Sequence, residues 1–311
     1  MPLELSVGVD IGGTKIHFAL VDAQGKLYAD EQIPTEAIQG AAAVMERTLQ
    51  GIERMLGLVD RMKDAVVIKG IGIGSAGQID FASGSVAYAV DTLPGWTGMR
   101  IQARAEERFP DLPIIVDNDV NVMAVAELRC GAAKGLRHFI CLALGTGIGG
   151  AVVENGRLVR GAFGGAGELG HVSVDFNGPQ CSCGNLGCLE LYASGSGIAR
   201  LAKEEAASFN DSRAVMQAWL QGDAQASQLM NIAIAALASG ISSLIHTFNP
   251  EAVIIGGGVA EAGDAFLSAI RRETQKRTSA AMWKAVELKL AAAGNVAGVK
   301  GAALQLWHYP K

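Results

Sequence analysis

Val7-Gly-Val-Asp10 runs into Ile11-Gly12-Gly13-Thr14-Lys15, continues as the apolar stretch 16–21, and closes in the polar turn Asp22-Ala-Gln-Gly25. Two short apolar runs joined by a glycine turn read as strand, turn, strand. The same pattern starts again at the apolar run 139–144. It continues through Gly145-Thr146-Gly147-Ile-Gly149-Gly150, the strand Ala151-Val-Val153 and the turn Glu154-Asn-Gly156. At an offset of 132 positions, Gly13-Thr14 falls on Gly145-Thr146, Ile16 on Ile148, Ala19 on Ala151 and Asp22 on Glu154. After a one-residue gap, Gly25-Lys-Leu matches Gly156-Arg-Leu. Two copies of one unit predict a duplicated α/β architecture: two domains with a cleft between them.

The rest of the chain fits around these units. Residues 36–63 carry helical spacing, 66–74 read as a strand leading to Ser75-Ala-Gly77, and 102–109 as a helix ending near Pro110. Ile114-Ile-Val116 is a buried strand that runs into Asp117-Asn118-Asp119, with a helix over 120–128. A long apolar helix spans 228–247 and stops at Asn249-Pro250. Val253-Ile-Ile255 is a strand into Gly256-Gly257-Gly258, and 299–307 close the chain as a helix. The expected division puts residues 1–117, with a C-terminal helix at about 298–311, in a smaller first domain. Residues 118–297 form a larger second domain, with the second glycine loop, the cysteine loop and a surface for self-association.

With 311 residues, 50% of them hydrophobic and 18% charged, the chain can bury ample core and is not disordered. Its formal charge of −5 argues against a general nucleic-acid binder, yet leaves room for a phosphorylated ligand held by local donors. The N-terminal Met1-Pro-Leu-Glu-Leu-Ser6 lacks the basic-then-apolar pattern of a leader, and no uninterrupted apolar window reaches membrane-spanning length. Of five cysteines, three cluster at 181–188. Cys141 lies in an apolar run as a buried thiol, and nothing resembles a disulfide framework. A soluble, cytoplasmic protein is expected, with neither nucleic-acid nor membrane partners.

Two stretches, 72–77 and 145–150, match G-x-G-x-x-G by letter. A dinucleotide site requires a helix to open at the last glycine, and neither stretch provides one. What remains is a pair of glycine hairpins, Gly12-Gly13 and Gly145 to Gly150, whose backbone N–H groups can nest phosphate oxygens. Thr14 and Thr146 add hydroxyl donors and Lys15 adds charge. Asp10 ends the first strand where the second copy has Leu142, and a carboxylate beside a phosphate turn predicts an intervening Mg²⁺. The competing reading is a turn that needs glycine, with Asp10 capping it. Asp117-Asn118-Asp119 offers a base for an acceptor hydroxyl, against the plainer reading of a helix cap. Trp96, after Pro94-Gly95, is either an aromatic platform for a sugar or a core residue.

His171, Cys181, Cys183 and Cys188 make a complete tetrahedral zinc set, closed and therefore structural. The spacing C-x-C with a nearby His suits a metal better than a redox pair. Glu168 and Glu190 flank this loop and are not needed to hold a metal.

Taken together, Asp10-Ile-Gly-Gly-Thr-Lys15, Asn118-Asp119, Gly145-Thr-Gly-Ile-Gly-Gly150, Glu168-Leu-Gly-His171, Cys181-x-Cys183-Gly-x-x-Gly-Cys188-Leu-Glu190 and Gly256–Gly258 resemble the ROK family of repressors and sugar kinases. The resemblance spans almost the whole chain. It implies the actin/hexokinase-like ATPase fold, closing over ATP and a hexose, in a homodimer. It further implies that Asp119 takes the proton from the sugar 6-hydroxyl, and that Gly77, Asn118, Glu168, His171 and Glu190 bind the sugar. Asp10, Gly12, Gly13, Thr14, Lys15 and Gly145, Thr146, Gly147, Gly149, Gly150 then surround Mg-ATP, with Gly256, Gly257 and Gly258 near the adenosine. Zinc would hold the loop so that Glu168 and Glu190 face one sugar, with one His171 nitrogen on the metal and the other toward a hydroxyl. The family's repressors carry an additional N-terminal helix-turn-helix, for which a first strand beginning by Val7 leaves no room. Glu168-Leu-Gly-His171 and Asn177-Gly-Pro-Gln-Cys181 are similar to the family's glucokinases, and nearly as much to its N-acetylmannosamine and N-acetylglucosamine kinases. A glucose 6-kinase is the first expectation.

Overall fold

A computed structural model describes residues 2–62, 65–89 and 93–309. In chain order the strands are β1 (Leu3–Ile11), β2 (Lys15–Asp22), β3 (Leu27–Pro34), β4 (Val66–Ser75), β5 (Gln78–Asp80), β6 (Ser85–Tyr88) and β7 (Ile114–Asn118). They continue as β8 (Phe139–Leu144), β9 (Ile148–Glu154), β10 (Arg157–Leu158), β11 (Ala252–Gly256) and β12 (Glu287–Leu290). The helices are α1 (Ala41–Val59), α2 (Ile101–Arg108), α3 (Asp119–Cys130), α4 (Glu190–Ala193) and α5 (Gly195–Glu204). Then follow α6 (Ser212–Leu220), α7 (Ala224–Phe248), α8 (Gly263–Gln275), α9 (Ala280–Trp283) and α10 (Ala297–His308). The last two residues of the C-terminal helix expected at 298–311 lie outside the described residues.

The chain divides into two units. The first comprises residues 1–134, 160–166 and 292–311, and the second 135–159 and 167–291. The helix that opens at Asp119 thus belongs to the first unit, beyond the boundary at 117 read from the sequence. Close packing of α3 on α10 is the physical reason. A side chain at Gly301 would overlap the carbonyl of Val122, so the two helices touch at backbone distance.

The duplication is visible in the sheets. The first has strand order β3-β2-β1-β4-β7 and the second β10-β9-β8-β11-β12. In each, a hairpin is antiparallel and the following strands join it in parallel. One detail differs from the sequence alignment. Ile11 pairs with Ile16 across the first turn and Leu144 with Ile148 across the second, so the second turn is one residue shorter. Asp10 opposes His17, and the residue at the matching place in the second hairpin is Ala143, opposite Gly149, instead of Leu142.

Strand periodicity explains the first unit's core. Leu5, Val7, Val9 and Ile11 of β1 and Ile16, Phe18 and Leu20 of β2 point to one face, against Val44, Met45, Leu49 and Ile52 of α1. The other face carries Gly8, Ala19 and Val21, and here α10 lies almost on the sheet through Val299 and Ala303. A Cβ at Gly8 would strike the carbonyl of Val299, and one at Gly72 that of Ala302. Gly72, which opens the first G-x-G-x-x-G match, is therefore a packing glycine. Glu127 is fully buried and accepts from the N–H groups of Ala132 (2.7 Å), Ala292 (3.0 Å) and Ala293 (2.9 Å), fixing the point where the chain re-enters this unit. Trp96 is fully buried, its Nε1 donating to Ser75 Oγ at 3.0 Å, so the core reading holds and the sugar-platform reading does not.

In the second unit, Ile140, Leu142 and Leu144 of β8 and Val253 and Ile255 of β11 pack against α7 and α8. Asp223 caps α7 by accepting from Ala226 N at 2.8 Å, and Asn249, at φ 46°, ends it ahead of Pro250. Among the described residues, α7 alone is long and apolar enough to cross a membrane, but 61% of its apolar window is buried in this core. Cys141 is a buried thiol outside any disulfide, as expected.

Candidate active site

In the first unit, Asp10 lies at the end of β1 beside the first glycine turn. Burial pushes its carboxyl pKa up, while His17 and Lys15 pull it part of the way back. Its oxygens rest against Gly298 in the first turn of α10, where a Cβ would collide with them. The positive end of that helix's dipole favours the ionised form. A hard oxygen donor that is costly to keep charged without a cation fits Mg²⁺. Gly12 N–H donates to the Lys15 carbonyl at 3.0 Å and Thr35 Oγ1 to the Gly12 carbonyl at 2.7 Å, closing the turn with Gly13 and Thr14 at its tip. Lys15 Nζ donates to Gln32 Oε1 at 3.4 Å.

The β7–α3 junction is the other polar centre of this unit. Asn118 is the N-cap: its Oδ1 accepts from Val120 N (2.9 Å) and Asn121 N (3.2 Å). Its Nδ2 donates to the Gly77 carbonyl at 2.9 Å. Gly77 has φ 97° and would place a Cβ 2.8 Å from the Tyr88 carbonyl, so only glycine suits the position. The capping reading therefore holds for Asn118. Asp119 stands one residue further on, in the first helical turn, with Oδ1 accepting from Val120 N at 2.9 Å. Asp117, 1% exposed, lies behind the junction.

In the second unit, the Gly145-Thr146-Gly147 turn is bound to the start of α5. Gly195 N donates to the Gly145 carbonyl (2.8 Å) and Ser196 N to the Thr146 carbonyl (3.2 Å). A cavity of about 680 Å³ opens here, lined by Gly145, Thr146, Ser196, Gly258, Val259, Asp211, Arg213 and Gln217 among others. Gly258 and the second turn thus share a pocket, as the sequence reading requires of residues around one nucleotide. The α5 and α6 residues of that wall were not anticipated. Their only sequence signal is the small-residue run Ser194-Gly-Ser-Gly197, where a helix N-terminus can meet an anion. Gly256 lies within β11, and Gly257, at φ 88°, packs under Leu144. Gly149 lies in β9, and Gly150 is a glycine because Leu169 and the Gly167 carbonyl occupy the space of a Cβ.

Glu190, at the start of α4, reaches back to the same turn. Its Oε2 accepts from Ile148 N at 2.9 Å, and a Cβ on Gly147 would collide with that oxygen. The ligand atoms of His171, Cys181, Cys183 and Cys188 lie within 4.8 Å of one another. Cys181 Sγ is 3.6 Å from His171 Nδ1, and Cys183 Sγ is 3.6 Å from Cys188 Sγ. A tetrahedron with metal–ligand bonds of about 2.0–2.3 Å has edges of about 3.5–3.8 Å, so the donors fit a closed metal site. Burial and the neighbouring thiols push Cys188 up to about 12, a cost that a dication on the sulfur reverses. His171 Nε2 faces the other way, 3.9 Å from Glu168 Oε2.

The sequence model of the ROK family matches residues 6–308, nearly the whole chain. The chain belongs to the ROK family. It has the duplicated actin/hexokinase-like α/β fold of that family. A glucokinase of Halalkalibacterium halodurans is 34% identical over 310 residues, covering 95% of this chain and 92% of the relative. The xylose repressor of Bacillus subtilis is 30% identical and covers 95% of this chain, but the match takes in only 75% of the repressor. Among solved structures, a ROK hexokinase from Thermus thermophilus has a TM-score of 0.85 at 33% identity, over 97% of this chain and 98% of that one. A ROK glucokinase from Streptomyces griseus, in complex with glucose and AMPPNP, has a TM-score of 0.80 at 31% identity, over 96% of this chain and 98% of that one.

Proposed function

We propose that this ROK protein is an ATP-dependent hexose kinase that phosphorylates the 6-hydroxyl of glucose. The observation that carries the reading is Asp119, a carboxylate in the first turn of α3, in a chain that matches a glucokinase over 95% of its length. As the sugar O6 attacks the γ-phosphorus, the bond to the β–γ bridging oxygen breaks and ADP leaves, while Asp119 accepts the hydroxyl proton. A loose transition state makes proton removal late, so an ordinary carboxylate suffices. The glycine turns hold the phosphates through backbone N–H groups and the hydroxyls of Thr14 and Thr146, and the 680 Å³ cavity takes the adenosine. Mg²⁺ facing Asp10 would neutralise charge on the phosphate oxygens. Gly77, Asn118, Glu168, His171 and Glu190 orient the sugar, and discrimination follows because the wrong sugar leaves buried polar groups unpaired.

The His171–Cys188 donors would hold one zinc ion, which fixes the loop between Glu168 and Glu190 and takes no part in the chemistry. His171 Nδ1 faces the metal and Nε2 is free to meet a hydroxyl. We further expect a cytoplasmic homodimer with no nucleic-acid partner. An ATP-consumption screen over glucose, mannose, fructose, N-acetylmannosamine and N-acetylglucosamine tests the reading. Turnover should be highest with glucose. An N-acetylhexosamine turned over faster would reassign the substrate, and no turnover with any hexose would remove the kinase reading.

A further inference from the structure

Behind the β7–α3 junction lies an ion pair that none of the roles above uses. Arg160 Nη2 donates to Asp117 Oδ2 at 2.6 Å. The guanidinium carbon sits 3.6 Å from the centre of the Phe81 ring and 4.7 Å from that of Tyr309. Those two rings meet edge to face at 5.8 Å, so the cation is held on two sides by aromatic surface. The other oxygen of Asp117 accepts from Asn118 N (2.8 Å) and from Asn121 Nδ2 (2.7 Å). One buried carboxylate therefore ties the residue before the base to the helix turn after it. The segment 160–166 is itself folded onto this unit. Ala166 N donates to the Arg160 carbonyl at 3.1 Å, and Gly164, at φ 104°, lies against the Ile79 carbonyl, where a Cβ would overlap.

We propose that Arg160 is a positioning residue for the kinase reaction, acting through Asp117 to fix the junction that presents Asn118 and Asp119. The inference rests on the hexose-kinase reading. Asp117, 1% exposed, has the Arg160 guanidinium as its ion-pair partner, and removing one member of a buried pair leaves the other without its charged partner. Among the described residues, the ion pair Asp117 makes is with Arg160. Without the guanidinium, Asp117 Oδ2 loses its donor and the carboxylate can rotate. That rotation disturbs the hold of Oδ1 on Asn118 N and Asn121 Nδ2. The cap that Asn118 makes then loosens, and Asp119 in the same turn shifts. A displacement of about 1 Å at a reacting group costs up to about 10²-fold in rate. The cavity proposed for the adenosine is built from second-unit residues, and the first glycine turn is closed by Lys15 and Thr35 rather than by Asp117, so nucleotide affinity is not expected to change.

The test uses the full-length enzyme, with kcat normalised to folded protein. It compares wild type, Asp119→Asn, Arg160→Met, Asp117→Asn and the double variant Asp117→Asn/Arg160→Met. Arg160→Met should lower kcat at least about tenfold while the KM for ATP stays within about twofold. In the Asp117→Asn background the same substitution should cost less than about threefold, because no buried charge is left unpaired. Should Arg160→Met yield no folded protein, the double variant still decides: kcat within about threefold of Asp117→Asn supports the inference, and a loss beyond about tenfold overturns it. Wild-type kcat in Arg160→Met, with Asp119→Asn inactive, overturns the inference and leaves the kinase reading standing. An inactive wild type removes both.

Discussion

Asp119 and Asn118 show at residue scale how a helix cap and a site can share two neighbouring positions. Asn118 spends its oxygen on the first turn of α3, and Asp119 is thereby held at a fixed place in that turn. Asp119→Asn should lower kcat by about 10²- to 10⁴-fold while hexose binding is retained, measured by initial rates and by titration of sugar binding. Retention of activity within about tenfold would show that another group takes the proton. Gly147 makes a second residue-level prediction, because a Cβ there collides with the Glu190 carboxylate that accepts from Ile148 N. Gly147→Ala should lower kcat/KM for the sugar at least about tenfold; an unchanged value would show that the Glu190 position is not critical. The polar residues of the candidate site stand in the sequence as types in a pattern. Which nitrogen of His171 faces the cysteines, and that Glu190 reaches back to the second glycine turn, were not legible there. Both depend on where the 168–190 loop folds back, and no local propensity encodes that.

The elements carry the site through unusually close backbone contact. Gly8 and Gly72 of the first sheet lie against α10, and Gly301 of α10 against α3. Gly301→Ala would drive a methyl into the Val122 carbonyl and should destabilise the first unit by about 3 kcal/mol or more, read as a lower denaturant midpoint. An unchanged midpoint would mean that the helices can part without cost. The cysteine loop makes a prediction of its own. Purified protein should carry about one zinc per chain by elemental analysis. Cys188→Ala should lose the metal and raise the KM for the sugar more than that for ATP; metal-free protein with full activity would remove the structural role of the site. Helices and strands were readable from period and turn residues, and their ends were set by caps: Gly40 starts α1 at Ala41, five residues inside the helical spacing at 36–63. The packing glycines were not separable from phosphate glycines by sequence. Gly72 and Gly150 sit in the same letter pattern as Gly145, and only the neighbour above each one tells them apart.

For the whole molecule, the duplicated hairpin seen at an offset of 132 positions became two sheets of one topology, each with its glycine turn between its first two strands. The copies have diverged where their tasks differ. The first keeps Asp10 beside its turn and the second places Ala143 there, in a turn one residue shorter. The first unit carries Asp119 at the start of α3, and the second holds the His171–Cys188 cluster with Glu168 and Glu190. The fold was therefore largely legible, because a repeat repeats its hydrophobic pattern. The division of the chain was less so, because α3 joins the first unit through packing on α10, a contact distant in sequence. The most direct test of the account is phosphorus NMR of the product formed from glucose and Mg-ATP. Glucose 6-phosphate should appear in a one-to-one ratio with ADP. A phosphate at another hydroxyl, or ATP turnover without a phosphorylated sugar, would contradict the account.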